Sequence, residues 1–460
     1  MPFEVRRVTN DGNERAARRP GKDGTHHVYL VPGFLGFANL GRITYFGHVQ
    51  RILAARFTAL EIDARIHVVA THPTTSLPRR ASRVAETIAA TAGDGDGPIH
   101  LIGHSSGGLD VRLLTAPEVA LPTRLDVEQL AARVRTVVTV STPHHGTPLA
   151  SFFTTLQGQR LLQILALGTI YVMHFGRLPL SALLWMGSII ARFDHLIANS
   201  ELLDELFSRL FTHFTPARRR AVRAMLREVV SDQALMLQLT PEAMEVFNAS
   251  VARCPGIRYG SVVAQAARPS LRSTIGAGLD PGAQVTRALY GAVYPLTAAT
   301  PQRLSPRLAP EVARLLRHAY RAIPSAADND GIVPTRSQAW GNVFHAAAAD
   351  HLDVLGYFRD PSYDPPHVDW LVSGSNFDRA QFEALWDDVL RFLVCEEATT
   401  TASVERAPPH LRAATGEIAP TGVALRHGKA AIGSFQPLRL RMSRIVSTRF
   451  PVASFTLPVA

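Results

Sequence analysis

The sequence predicts an α/β protein, a mostly parallel central sheet flanked by helices and interrupted by a large helical insertion. Short β-branched runs alternate with helical apolar periodicity from Val28 onward, the pattern of a sheet covered on both faces. A buried strand runs directly into Gly103-His104-Ser105-Ser106-Gly107 and then into a helical pattern. The 460 residues are 46% hydrophobic and 19% charged, with 32 Gly, 31 Pro and 2 Cys. That balance supplies a sizeable core and excludes a disordered chain, a collagen and a disulfide scaffold.

In chain order, strands are expected at VYLV (28–31), IHVVA (66–70), IHLI (99–102), VRTVVTV (134–140) and IRYGSVVA (257–264). Helical spacing lies between them, for example Val84 and Ile88 after Pro78. A helix over 378–395, with Phe382, Leu385, Trp386, Val389 and Leu393 on one face, closes the domain. These elements define an expected domain of residues 25–400, preceded by an extension, 1–24, and followed by a basic tail, 401–460.

More than a hundred residues separate the strand ending near Val140 from the one near Ile257, far more than a crossover helix requires. Within this insertion, 151–231 reads as a helical lid. Residues 161–193 are very apolar, but Gln163, His174 and Gly176-Arg177 cut the apolar runs to about fifteen residues, below the ~20 that span a bilayer. No transmembrane helix is therefore expected. Ser200 is placed to cap a following helix, and Thr215-Pro216 opens another. In that second helix Val222, Met225, Leu226 and Val229 oppose Arg218, Arg219, Arg220, Arg223 and Arg227, a pattern suited to peripheral contact with a lipid surface. A second insertion, 268–323, carries a helix after Pro310 with Val312, Leu315, Leu316 and Ala319 inward.

The net charge is +10, of which the tail contributes +6: eight Arg and Lys against Glu405 and Glu417. Lys occurs only at Lys22 and Lys429, so the remaining Arg excess is dilute and no nucleic-acid partner is expected. Cys254 and Cys395 show no metal-type spacing and no disulfide is expected. The first residues contain no apolar h-region, so no signal peptide is recognised, and the expected location is cytoplasmic with room for membrane association.

The chemistry centres on Ser105. A serine hydroxyl is a poor nucleophile until a histidine takes its proton, and that histidine needs a carboxylate to hold its tautomer. In Ala327-Asp328-Asn329-Asp330-Gly331, Asp330 precedes a glycine that can turn the chain, with Asp328 as fallback. Of the histidines that follow, His345, His351, His367, His410 and His427, His345 falls within a strand. His351 follows that strand in a loop, which favours it. Acyl transfer also needs donors for an oxyanion. The backbone N–H groups of Phe34, in the turn Pro32-Gly33-Phe34, and of Ser106 are the natural pair.

GHSSGGLDVR, PGFLGF, STPHHGTPLA (141–150), LTPEAMEVFN (239–248), NDGIVP and DHLD, in this order, resemble the bacterial triacylglycerol lipases of the α/β-hydrolase superfamily, over about residues 28–395. The resemblance implies an α/β-hydrolase fold and a serine hydrolase that cleaves lipid esters through an acyl-enzyme on Ser105. It implies a triad of Ser105, Asp330 and His351 and an oxyanion hole at Phe34 and Ser106, without an organic cofactor. Pro32-Gly33 stands where many members have His-Gly, and the insertion is longer than usual. Members that hold calcium use an Asp two residues after the histidine, here Asp353, with another Asp some twenty residues before the catalytic one. LSPRLAPEV in that stretch has no Asp and Tyr357 replaces a common Gln, so no metal site is expected, and activity and thermal stability are both expected to survive chelation. An acyltransferase using the same residues, and a catalytically silent lipid-binding protein, are the other readings.

Overall fold

Six strands pair in parallel in the order β2-β1-β3-β4-β5-β6: β1 (His26–Val31), β2 (Ala64–Val68), β3 (Ile99–His104), β4 (Val134–Val140), β5 (Arg258–Ala264) and β6 (Asn342–Ala347). The protein is seen here as a computed structural model that describes residues 24–34, 45–93, 97–117, 119–155, 158–163, 208, 212, 214–270, 281–363, 367, 369 and 371–395. The chain divides into two units, Met1–Ala398 and Thr399–Ala460. The second unit, the first 23 residues and most of the apolar stretch, 164–207, lie outside the described residues, as do Ser200, His410 and His427.

Because side chains alternate across a strand, Val28 and Leu30 enter one core while Tyr29 and Val31 enter the other. The first core packs on α1 (Gly47–Ala59) and on the closing helix. The second packs on α2 (Leu77–Ala92) and α3 (Gly107–Leu114), where Val84, Ile88 and Leu109 are fully buried. Helices on both faces of a parallel sheet give the α/β-hydrolase type of fold that the sequence predicts. Further along the chain come α4 (Val127–Ala132), α5 (Pro148–Phe153), α6 (Pro216–Ser231), α7 (Ala234–Gln238), α8 (Pro241–Ser250), α9 (Pro281–Thr297), α10 (Pro310–Tyr320) and α11 (Arg379–Val394).

The closing helix, α11, starts where the sequence marks it: Asp378 accepts from the Gln381 N–H, and the Gln381 side chain reaches back to the Asp378 N–H. It buries Phe382, Leu385, Trp386, Val389 and Leu393. At ~1.5–3 kcal/mol for each fully buried large apolar side chain, this face is a main anchor of the domain. The Trp386 indole N–H donates to the Val354 carbonyl at 2.9 Å, which fastens the helix to the loop after His351.

The insertions depart from expectation in two places. On α10 only Leu316 is fully buried, and Ala319 is exposed; Tyr320 instead turns inward and donates to the Val263 carbonyl at 3.0 Å. On α6, Val222 and Leu226 are buried in the first core beside Phe214. Arg220, Arg223 and Arg227 are exposed, but Arg219 is half-buried and its Nε–H donates to the Phe214 carbonyl at 3.0 Å, which ties the first turn of the helix to the residue that leads into it. The side chains of Arg218, Met225 and Val229 lie outside the described residues. Both cysteines are free thiols, and among the described residues no helix is long and apolar enough to cross a membrane.

Candidate active site

Parallel pairing sets the ends of β1, β3 and β4 side by side, with Val31 opposite Gly103 and His104 opposite Val140. The chain leaves β3 in a sharp turn. Ser105 sits at φ 55°, in the left-handed region, and its N–H still donates to the Val140 carbonyl at 2.9 Å. A non-glycine residue held there is strained by roughly 1–3 kcal/mol and persists only where its surroundings over-determine it. The flanking glycines supply that constraint: a Cβ on Gly103 would lie 2.4 Å from the Gly107 backbone, and one on Gly107 would lie 2.2 Å from the Val31 carbonyl. Ser106 then heads α3, so the positive end of that helix's dipole lies beside Ser105, while the Gly108 N–H closes the turn on the Ser105 carbonyl at 3.0 Å.

Asp330 and His351 are joined twice. His351 Nδ1–H donates to Asp330 Oδ2 at 2.8 Å, and the His351 backbone N–H donates to the Asp330 carbonyl at 3.0 Å. Asp330 is fully buried, and its other carboxylate oxygen accepts from the N–H groups of Ile332 (2.9 Å) and Val333 (2.7 Å). Gln338 Nε2 donates to Oδ2 at 3.1 Å. The carboxylate is thus satisfied in its ionised form and leaves the second imidazole nitrogen of His351 for other work. Asp328, the fallback, is committed elsewhere, to Arg268 at 2.7 Å and to the turn at Ser325. His345 lies in β6 and pairs with Asp388 at 2.8 Å.

His351 and the elbow meet through His104. Their rings are 4.6 Å apart, and His104 Nε2 lies 2.9 Å from the His351 carbonyl oxygen. Ser105 Oγ makes no hydrogen bond to His351 among the described residues; such bonds often form only when substrate is bound. Phe34 follows Gly33 in the turn after β1, and a Cβ on Gly33 would lie 2.4 Å from that of Ser105, so this turn lies against the nucleophile candidate.

Four residues outside the expected triad and oxyanion pair hold these groups: Arg80, Gln338, Tyr45 and His104. Arg80, fully buried on α2, grips Asp110 of α3 (Nη2 to Oδ2, 2.7 Å) and donates to the Pro32 carbonyl at 2.8 Å. It ties the turn carrying Phe34 to the helix that follows Ser105. Gln338 supports Asp330, and Tyr45 hydrogen-bonds His104 at 2.6 Å. Only His104 carries a signal in the sequence, its place inside the elbow; the others are distant in the chain.

Beside His351, Asp350, Asp353 and Asp369 converge with oxygens within 4.8 Å of one another. Asp350 Oδ2 and Asp369 Oδ1 are buried without a hydrogen-bond partner, whereas Asp353 Oδ2 accepts from the Asp350 N–H and from Ser375. Burial pushes Asp350 up to about 6 and Asp369 up to about 8, and raises Asp353 well above the usual carboxylate range. The sequence offers no second carboxylate in LSPRLAPEV; the fold brings two, from positions 350 and 369, to Asp353 instead. Three carboxylates, two of them with an unpartnered buried oxygen, fit a hard divalent cation.

No family model matches the chain, and no curated protein sequence matches it. Among solved structures, it is similar to a metagenomic carboxyl esterase (18% identity over 84% of this chain and 81% of the other, TM-score 0.43). It is also similar to EstA from Clostridium botulinum (18%, 79% and 88%, TM-score 0.43) and to the lipase of Staphylococcus hyicus (14%, 82% and 98%, TM-score 0.43). At such TM-scores the likeness assigns no activity, which has to come from the site itself.

Proposed function

We propose that the protein is a serine hydrolase of carboxylic esters, acting on lipid esters through an acyl-enzyme on Ser105. The observation that carries this reading is the union of a left-handed serine between β3 and α3 with a buried Asp330–His351 pair from the loops on either side of β6. His351 Nε2 takes the Ser105 proton as Oγ adds to the ester carbonyl, and Asp330 stabilises the imidazolium that forms. The negative charge on the former carbonyl oxygen falls to the N–H groups of Phe34 and Ser106. As the tetrahedral species collapses, the C–O bond to the alcohol breaks and His351 returns its proton to the leaving oxygen. Water, activated by the same histidine, then releases the acid and frees Ser105. Asp350, Asp353 and Asp369 would hold a divalent cation such as calcium, whose role there is to neutralise their charge beside the histidine loop.

The apolar stretch 161–193 and the arginines of α6 favour lipid-like substrates, met at a surface. A panel running from short p-nitrophenyl esters to emulsified long-chain triacylglycerol tests both parts. Ser105→Ala, His351→Ala and Asp330→Asn are each expected to lose several orders of magnitude in turnover while remaining folded. A folded His351→Ala protein with near-wild-type turnover would overturn the assignment. Hydrolysis of short esters alone, with no rise once droplets form, would leave an esterase without the lipid preference.

A further inference from the structure

We propose that Tyr45 and His104 are positioning residues that lock the oxyanion turn to the histidine loop, an inference that rests on the ester-hydrolase reading above. The two form a buried, one-directional chain of hydrogen bonds. The His351 backbone carbonyl can only accept, so His104 Nε2, 2.9 Å away, must carry the proton. His104 is fully buried, and its pKa is held well below 6.5 by burial and then by the proximity of His351, so the ring stays neutral and Nδ1 keeps a lone pair. Tyr45, 2.6 Å from that nitrogen, therefore donates its hydroxyl proton to it. The Gly33 turn packs directly on the elbow, where a Cβ on Gly33 would lie 3.0 Å from the His104 carbonyl oxygen, and the Gly33 backbone acts on the Tyr45 phenol; burial still pushes the phenol's pKa far above neutrality, so it remains a donor.

One phenol thus holds the imidazole on whose main chain the Phe34 turn packs, and, through that imidazole, the main chain of the residue proposed as general base. Tyr45 is itself held from behind, since the Tyr357 hydroxyl donates to its carbonyl at 3.3 Å. Nothing in this chain touches the reacting atoms. Its effect is to fix the separation between the oxyanion donors and the base, which have to be correct together in the transition state and matter less for binding the ground-state ester. Losing a hydroxyl here moves kcat rather than KM.

The test uses the full chain with Tyr45→Phe, His104→Leu, the double variant and Ser105→Ala. Exhaustive labelling with a p-nitrophenyl phosphonate counts competent sites, and p-nitrophenyl butyrate then gives kcat per labelled site and KM. Tyr45→Phe is expected to lose about 10- to 100-fold in kcat per labelled site with KM within about twofold. The double variant is expected to match His104→Leu alone, because both substitutions break one chain. If His104→Leu does not fold, the Tyr45→Phe split decides the matter alone. A wild-type kcat per labelled site in Tyr45→Phe, with the loss confined to the labelled fraction or the Tm, would show a merely structural contact and overturn the proposal. Multiplying effects in the double variant would overturn it as well. Undiminished turnover in Ser105→Ala would instead sink the hydrolase reading, and the proposal with it.

Discussion

Ser105 carries both the proposed chemistry and a local backbone penalty. Its φ of 55° is ordinary for glycine and costly for any residue with a Cβ, so the position itself separates stability from function. Ser105→Gly relieves the strain and also adds freedom to the unfolded chain, an offset of roughly 0.5–1 kcal/mol. The expected outcome is a protein more stable than Ser105→Ala by about 1 kcal/mol, with turnover absent in both. Denaturant melts of the two variants check this, and a less stable Ser105→Gly would mean that the turn is not strained. The same residue was legible in the sequence because strand, elbow and helix are contiguous there. Asp330 and His351 were legible through chain order, since loops after the last strands are the places from which such groups reach the sheet's edge. Tyr45 and Gln338 were not, because their roles depend on which buried hydrogen-bonding group happens to face them.

At the scale of elements, β-branched runs predicted strands closely: 134–140 coincides with β4, and the 257–264 run differs from β5 by one residue. Helical faces were less legible where a helix covers the edge of a sheet rather than its middle, as α10 does; Tyr320 there reaches a strand carbonyl and Ala319 is left outside. The carboxylate cluster escaped because its members come from two loops nineteen positions apart that only the fold brings together. The contact between α2 and α3 shows how such hidden pairings act. Arg80 and Asp110 are both fully buried, so removing the arginine leaves an uncompensated carboxylate and an unheld Pro32 carbonyl. Arg80→Ala is expected to cost about 3–5 kcal/mol, whereas the Arg80→Met, Asp110→Leu pair, which removes both charges, recovers most of it. Chemical denaturation of the three proteins checks this; equal losses in the single and paired variants would show that the Pro32 contact, not the charge, dominates.

For the whole molecule, two buried sets of titrating groups oppose each other. Burial lowers His48 and His100 to about 3 and holds His104 and His144 well below 6.5, so protons bind the unfolded chain first and stability falls as pH drops below 6.5. The raised carboxyls of Asp350, Asp353 and Asp369 act in the other sense: stability is full below their unfolded values near 4 and is lost as pH rises through their folded ones, up to about 8 for Asp369. Without metal, the Tm is expected to plateau between about pH 4 and 6.5, where the two trends cancel, and to fall on either side. Calcium is expected to lift only the alkaline side, and Asp369→Asn to abolish that lift; thermal melts across pH with EDTA or calcium check both. An alkaline side that calcium leaves unchanged would mean that the cluster is simply protonated. The sheet order has a further consequence, in time rather than in energy. Ser105 precedes β4, whereas its proposed partners, Asp330 and His351, lie beyond β5 and on either side of β6, and the helix that buttresses the loop after His351 ends at 394. Such distant pairings form late in folding. On the proposed reading, a ribosome that has made the first three hundred residues has made the turn of the proposed nucleophile but neither of its proposed partners, so the growing chain is expected to pass through synthesis without ester turnover.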